Sequence, residues 1–297
     1  MNNKHTPPPR PDLKLQVKTE VELMTFLLEQ LPHKNRNNVK TLLRDKQILV
    51  NGKIVTQFNH PLLPENQVEI RGNKVPESQQ YKGINIVFED HYLIVIDKEA
   101  GILSIATDTE KRQTAYSLLS DHVKKHNPNN KIFVVHRLDR ETSGLMIFAK
   151  NENVKNLLQE TWVDTVEERT YLAMVQSPMK KPEGKIESYL HESKALIVYS
   201  SQNPNSGQKA ITHYKTLKSN TFYTLLQVNL ETGRKNQIRV HLQEMGHPII
   251  GDQKYGSKVS PINRLGLHAW VLAFAHPITK EAMRFETEIP KKFSRLV

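Results

Sequence analysis

Two short stretches of this 297-residue chain gather the side chains best suited to chemistry. The first is His136-Arg-Leu-Asp-Arg-Glu-Thr-Ser-Gly144, with Arg137, Asp139, Arg140 and Glu141 crowded between the apolar runs Lys131–Val135 and Leu145–Ala149. If both runs are buried strands, a sheet fixes the ends of the polar loop, which is where binding and catalytic groups tend to sit. Ser143-Gly144 then permits a tight return to the second strand. The same pattern also describes an ordinary charged connection. The second stretch is Glu231-Thr-Gly-Arg-Lys-Asn-Gln-Ile-Arg-Val-His241, with Arg234, Lys235 and Arg239 and no acid after Glu231. It follows a strand and opens a short helix, and a cationic helix start suits a phosphate or a carboxylate. A basic helix start with no ligand fits it equally well.

Other chemistries lack their residues. There is no cysteine, which removes thiol nucleophiles, disulfides and thiolate zinc sites. The glycine-rich dinucleotide and P-loop patterns and the hydrolase elbow are missing as well. His241, His247, His268 and His276 follow no common metal-ligand spacing, so no metal site is assigned.

The elements that must position the two stretches begin at about residue 82. Ile84–Asp90 and Tyr92–Lys98 read as a hairpin, and Gln113–His126 and Asn153–Val163 have helical apolar spacing. Tyr171–Val175, Ala195–Tyr199, Ala210–Leu217 and Phe222–Leu230 read as further strands, followed by a short helix turning Ile238, Leu242 and Met245 inward. Many strands with few helices predict an α+β fold with a mostly antiparallel, mixed central sheet flanked by helices. Residues 15–73 read as a small separate domain. Val21–Leu28 is helical until Pro32, a second helix covers Asn35–Lys46, and Asn51-Gly52 is a strong hairpin turn. A flexible proline-rich tail (1–14) and a polar linker (74–82) complete the expected division, leaving 83–297 as the larger domain.

The formal charge is +11, which speaks about partners and not about fold. It is focused: Lys34, Arg36, Lys40, Arg44, Lys46 and Lys53 face Asp45 alone. Arg36, Lys40 and Arg44 recur every fourth residue and stack on one helix face, an arrangement eased by an anionic partner. The densest apolar run, Tyr92–Ile96, is far too short to span a membrane, and the N-terminus shows no secretory pattern. A cytoplasmic protein is expected.

His136–Gly144 resembles the HRLDxxTSG motif of the RluA-type RNA pseudouridine synthases. Its companions follow in the family's order: Tyr171-Leu-Ala, Gly233–His241, His247-Pro-Ile-Ile-Gly-Asp252, Tyr255-Gly256, Leu267-His-Ala269 and His276-Pro277. Residues 15–70 resemble the αL RNA-binding module of a ribosomal small-subunit protein. Two departures stand out. Lys98-Glu-Ala-Gly101 replaces Lys-Pro-Ala-Gly, and Lys235-Asn236-Gln237 replaces Thr-His-Gln.

The resemblance implies an isomerase that detaches uracil from its ribose, turns it and rejoins it through a ring carbon, with no cofactor. It implies Asp139 as the catalytic carboxylate, Arg239 as the cation that keeps it charged, and Tyr171 as a residue that stacks on the base or removes its proton. Loss of Arg239 is then expected to strand a buried Asp139. The target uridine must leave its stack, and Arg137 is placed to fill the gap. Arg140, Arg234 and Lys235, with Arg36, Lys40, Arg44 and Lys53, are the remaining expected RNA contacts. The implied partner is RNA, ribosomal RNA of the large subunit ahead of transfer RNA; a monomer is expected because one asymmetric RNA target needs one active site. A catalytically idle RNA-binding or ribosome-assembly protein on the same fold is the alternative.

Overall fold

A computed structural model of the chain describes residues 13–44, 47–71, 81–107, 110 and 113–297. The proline-rich start through residue 12, the Asp45-Lys46 pair of the basic segment and residues 72–80, which include most of the stretch read as a linker, lie outside the described residues. The chain forms two compact units, Met1–Gln79 and Gln80–Val297.

The first unit contains β1 (Leu13–Gln16), β2 (Val21–Glu22), α1 (Leu23–Gln30), α2 (Arg36–Arg44), β3 (Ile48–Val50), β4 (Lys53–Ile54), β5 (Pro61–Leu62) and β6 (Gln67–Ile70). The strands order as β1-β6-β3-β4, with β2 and β5 paired apart. Asn51 (φ 50°) and Gly52 (φ 76°) both take left-handed backbone, so the turn between β3 and β4 is of the primed kind that matches strand twist. Asn35 and Asn38 each accept the other's backbone N–H, which opens α2 just before Arg36. Leu23 and Leu27 of α1, Val39 and Leu43 of α2, and Ile48 and Val68 of the sheet form one core. Arg36, Lys40 and Arg44 are exposed on the other side of α2.

The second unit begins with the hairpin β7 (Ile84–Glu89) and β8 (Leu93–Lys98), followed by α3 (Ala115–His126), β9 (Phe133–Val134) and β10 (Ser143–Ala149). Next come α4 (Glu152–Glu160), α5 (Trp162–Thr165), β11 (Val166–Gln176), β12 (Glu183–Glu192), β13 (Val198–Ser201), β14 (Gln208–Ser219) and β15 (Tyr223–Leu230). The chain ends with α6 (Gln237–Glu244), β16 (Leu267–Ala275), β17 (Ala282–Glu286) and α7 (Lys291–Ser294). One sheet runs β13-β12-β14-β15-β11-β16-β10-β8-β7, with β17 beside β16 and β9 beside β10. Among the described residues only β10 and β16 pair in parallel. The sheet is therefore mixed and mostly antiparallel, as the α+β pattern predicts.

Strand alternation sorts the apolar residues of β8 and β10 onto two faces. Ile94, Ile96, Met146 and Phe148 pack with Leu119 and Val123 of α3, while Val95, Leu145 and Ile147 pack with Val154 and Leu158 of α4. Each such fully buried side chain stabilises the fold by roughly 1.5–3 kcal/mol. α6 lays Ile238 and Leu242 on Ala173, Val175, Val228 and Leu267.

Two strand expectations need correction. Lys131–Val135 yields only the two residues of β9, both half-buried, so the motif hangs from one strong strand and one weak one. Ala195–Tyr199 is interrupted: Leu196 has φ 58° and closes a turn onto Ser193, and extended structure resumes at Val198. The sheet also contains β12, β16 and β17, which no apolar run singled out above. The glycine that follows Ser143 has a sharper reason than a tight turn. At Gly144 (φ 112°) a Cβ would sit 2.1 Å from the Ala269 carbonyl oxygen, so only glycine lets β10 and β16 join.

Candidate active site

A cleft of about 700 Å³ opens in the second unit where the turn before β10, strands β11 and β16 and the start of α6 converge. Asp139, Tyr171 and Arg239, named from three distant stretches of sequence, all line it.

Asp139 sits in a turn closed by the Thr142 N–H on the Asp139 carbonyl (3.1 Å). The next residue is pinned as well, because the Arg140 carbonyl accepts from the Gly101 N–H (2.8 Å) and from Lys98 Nζ (3.2 Å). Lys98 is fully buried and also donates to the carbonyls of Glu99 and Ile102. Burial pulls its pKa down to about 8 against the pull of the Glu141, Asp139 and Asp97 carboxylates. At the head of the motif, His136 Nε2 accepts the Ile147 N–H (3.1 Å) and its ring lies 5.0 Å from that of Trp162. Burial, helped by the charge of Arg169, pushes its pKa to about 4, so it is a neutral anchor for the loop.

Arg239 faces this turn from α6. Its Nη1 donates to Asp139 Oδ2 (3.1 Å) and to Asn236 Oδ1 (3.0 Å). Nε and Nη2 make a two-pronged contact with Asp252 (2.7 and 2.9 Å), and the guanidinium lies 4.9 Å from the Tyr255 ring centre. Burial alone would lower the pKa of Arg239, yet the bonds and charges of Asp252 and Asp139 raise it. The exposures decide which acid is the buried partner: Asp252 is 1% exposed, Arg239 14% and Asp139 41%. The expectation that losing Arg239 would strand a buried Asp139 is thereby corrected. The carboxylate left stranded is Asp252, while Asp139 stays open to the cleft. Among the described residues Oδ1 of Asp139 meets no protein donor.

Asn236, which stands where the resemblance expects a histidine, has a definite place. It donates through Nδ2 to the Tyr255 hydroxyl (3.1 Å) while its Oδ1 holds Arg239. Its backbone is left-handed (φ 56°) and its side chain does not cap α6. Buried Gln237 fixes the preceding loop, accepting from Thr232 Oγ1 and the Arg234 N–H and donating to the Ile211 carbonyl.

Tyr171 rises from β11 opposite Val228 and Ala269. Burial, with Asp139 adding and Arg169 opposing, raises the pKa of its phenol, which is therefore neutral at ordinary pH. Arg169 also lines the cleft and donates to the carbonyls of Leu230 and Glu231.

The expected RNA contacts divide. Arg137, Arg234 and Lys235 line the cleft and are exposed, with Arg234 Nε on the Lys209 carbonyl and Lys235 paired with Glu192. Arg140 turns to Glu110 (2.9 Å) and the Gly101 carbonyl (3.1 Å). Arg36, Lys40 and Arg44 lie on α2 of the other unit, and Lys53 opens β4 there. The four histidines weighed as ligands are committed elsewhere: His241 to Ser188 and Thr212, His247 to the Gln176 carbonyl, His268 to Ser143 and Thr287, and His276 to Asp90.

Residues 92–244 match the family described as RNA pseudouridylate synthase, and residues 23–68 match the S4 domain. A Mycoplasma pneumoniae protein named as an uncharacterised RNA pseudouridine synthase is 34% identical over 94% of this chain and 92% of its own length. The ribosomal large subunit pseudouridine synthase D of Nitrosomonas europaea is 29% identical over 91% of this chain and 82% of its own. The structure of human RNA pseudouridylate synthase domain containing 4 superposes with a TM-score of 0.59 at 23% identity, covering 70% of this chain and 90% of that one, and so shares the fold. The chain belongs to the RNA pseudouridylate synthase family, isomerases that convert uridine in RNA to pseudouridine, and carries an N-terminal S4 domain.

Proposed function

We propose that the enzyme isomerises one or more uridines of large-subunit ribosomal RNA, acting as a monomer in the cytoplasm, with Asp139 as the reacting carboxylate. The observation that carries this reading is the Asp139–Arg239 contact at 3.1 Å inside the cleft, since it pairs an open carboxylate with a cation held by other groups. The reaction balances without an outside reagent. The N1–C1′ bond breaks, a C5–C1′ bond forms, the C5 proton departs and N1 gains one. No electrons are exchanged with a cofactor, so none is assigned.

Asp139 acts at the glycosidic bond through the oxygen that Arg239 does not occupy. Tyr171, neutral and half-buried, stacks on the flipped uracil, and its raised pKa disfavours a role as proton acceptor. Arg137 stands at the cleft to take the space the base leaves, and Arg234 and Lys235 to meet phosphates. The S4 domain adds affinity through phosphate contacts from Arg36, Lys40 and Arg44. The ribosomal target rests on the names of relatives such as the large subunit synthase D of Nitrosomonas europaea, and the monomer on a cleft built by one chain.

The test compares cells carrying wild type and Asp139→Asn by pseudouridine-dependent reverse-transcription stops on ribosomal and transfer RNA. Stops in large-subunit RNA that vanish in the variant are the expected result. An unchanged pattern would instead favour an RNA-binding protein with no chemical step.

A further inference from the structure

The turn that carries Asp139 is gripped from outside the cleft by two side chains that touch neither the cation nor the base platform. On the entry side, buried Ser104 holds both backbone groups of Leu138: its hydroxyl donates to the carbonyl oxygen (2.7 Å) and accepts from the N–H (3.2 Å). On the exit side, Ser143 lies in a line of hydrogen bonds. Arg264 Nη2 contacts Ser143 Oγ (2.8 Å), Ser143 Oγ contacts His268 Nδ1 (2.7 Å), and His268 Nε2 contacts Thr287 Oγ1 (2.6 Å).

The direction of that line follows from the chemistry of its members. A guanidinium only donates, so the Ser143 oxygen accepts from Arg264; among the described residues its own hydrogen meets no acceptor but His268 Nδ1, and Thr287 Oγ1, which donates to the Trp270 carbonyl, is left to accept from the ring. The imidazole must therefore accept at Nδ1 and carry its hydrogen on Nε2, which it donates to Thr287. Burial and the charge of Arg264 push the His268 pKa down to about 3, which keeps the ring in that neutral form. Ser143 is also paired with His268 across the β10–β16 seam, so the line ties the last residues of the motif to the middle of the sheet.

We propose that Ser104 and His268 are positioning residues for the isomerisation, fixing the chain before and after Asp139 and with it the place of the carboxylate. The inference rests on the reading of Asp139 as the reacting group. Neither side chain reaches the reacting atoms. Their loss relaxes the turn by a fraction of an ångström to about 1 Å, a displacement able to cost about 100-fold in rate when the reacting geometry is tight.

The experiment measures kcat and apparent KM for pseudouridine formation on total RNA from cells lacking the gene, which contains the unmodified target whichever RNA carries it. Four variants of the full chain are compared: Ser104→Ala, His268→Asn, His268→Gln and Asp139→Asn. Assays run at a temperature where circular dichroism shows each variant folded. Ser104→Ala is expected to lower kcat about 10- to 100-fold with KM within about twofold. Asparagine places an acceptor where Nδ1 stood and keeps the grip on Ser143, so His268→Asn stays within about threefold of wild type. Glutamine reaches the Nε2 position instead, and His268→Gln loses about tenfold or more. A role in stability alone would not order these two. Wild-type kcat in Ser104→Ala and His268→Gln, or equal rates in the two His268 variants, overturns the proposal. If Asp139→Asn keeps wild-type kcat, the reading of Asp139 fails; if it is inactive while the others match wild type, only the positioning fails.

Discussion

Asp139 and Arg239 meet across the cleft at 3.1 Å, yet the chain fixes the first through the backbone of its neighbours and the second through its own side chain. Around Asp139, the backbone groups of Leu138, Arg140 and Thr142 are all engaged while the carboxylate itself, among the described residues, bonds only to Arg239. Around Arg239, Asp252, Asn236, Asp139 and the face of Tyr255 together surround the guanidinium. With Asp139 as the proposed reacting carboxylate, the contrast separates two tasks. A group that must bond to substrate keeps its atoms open and is placed by the chain beneath it. A group that supplies a field is immobilised at the charge, because preorganised charge needs no reorganisation during reaction.

The sharpest way to break the arginine side is Asp252→Asn. It leaves Arg239 buried without its two-pronged partner, and losing one member of a buried pair costs about 3–5 kcal/mol. Urea unfolding should show that loss, and activity should fall even where the protein remains folded. On the other side, Gly144→Ala drives a methyl group into the Ala269 carbonyl at a backbone angle that disfavours any side chain. A loss of about 3 kcal/mol is expected, read as a lower melting temperature. If Asp252→Asn proves the milder of the two, the buried ion pair is not the stronger anchor.

Acid probes both walls together. His136, His241 and His268 have folded pKa values of about 4, 4 and 3, all below the ordinary 6.5. The unfolded chain therefore binds protons that the folded chain refuses, and stability present above pH 6.5 is lost as pH falls toward 4. Asp97, raised to about 6 by burial and by Glu99, works the other way, since its contribution is present below its unfolded value and disappears as pH rises through 6. Asp97→Asn should steepen the acid loss measured by urea unfolding between pH 6.5 and 4. An unchanged slope would show that the carboxyl titrates normally. The smallest effect belongs to Arg140→Ala. Its pair with Glu110 is half in solvent and contributes under about 1 kcal/mol. Since the backbone of residue 140 carries the hold on the turn, the single-turnover rate constant should change less than threefold.

Much of the site was legible in the sequence because its residues stand in ordered motifs. Periodicity and turn chemistry found the Asn51-Gly52 hairpin, both helices of the S4 domain, the β7–β8 hairpin and α3. β12 escaped because its exposed positions leave Glu-Gly-Lys-Ile-Glu-Ser with no apolar run. β16 escaped for the opposite reason: it is apolar on both faces, so Leu267–Ala275 shows no alternation, and only its Leu-His-Ala start was noticed. Asp252 was visible as the end of a motif, but nothing in one dimension says that its carboxylate turns back to Arg239 on α6. Ser104 and Arg169 carry no local signal. Their importance comes from the backbone they meet, which only the folded chain brings near.

Asn236 shows one more consequence. A helix start usually recruits such a residue to cap its free N–H groups, a contact worth about 1 kcal/mol. Here α6 begins uncapped, and the amide is turned aside to steady a guanidinium against a phenol. The helix is thus less secure at its first turn than it could be. In return its arginine is braced by a group that neither gains nor loses charge as the surroundings acidify.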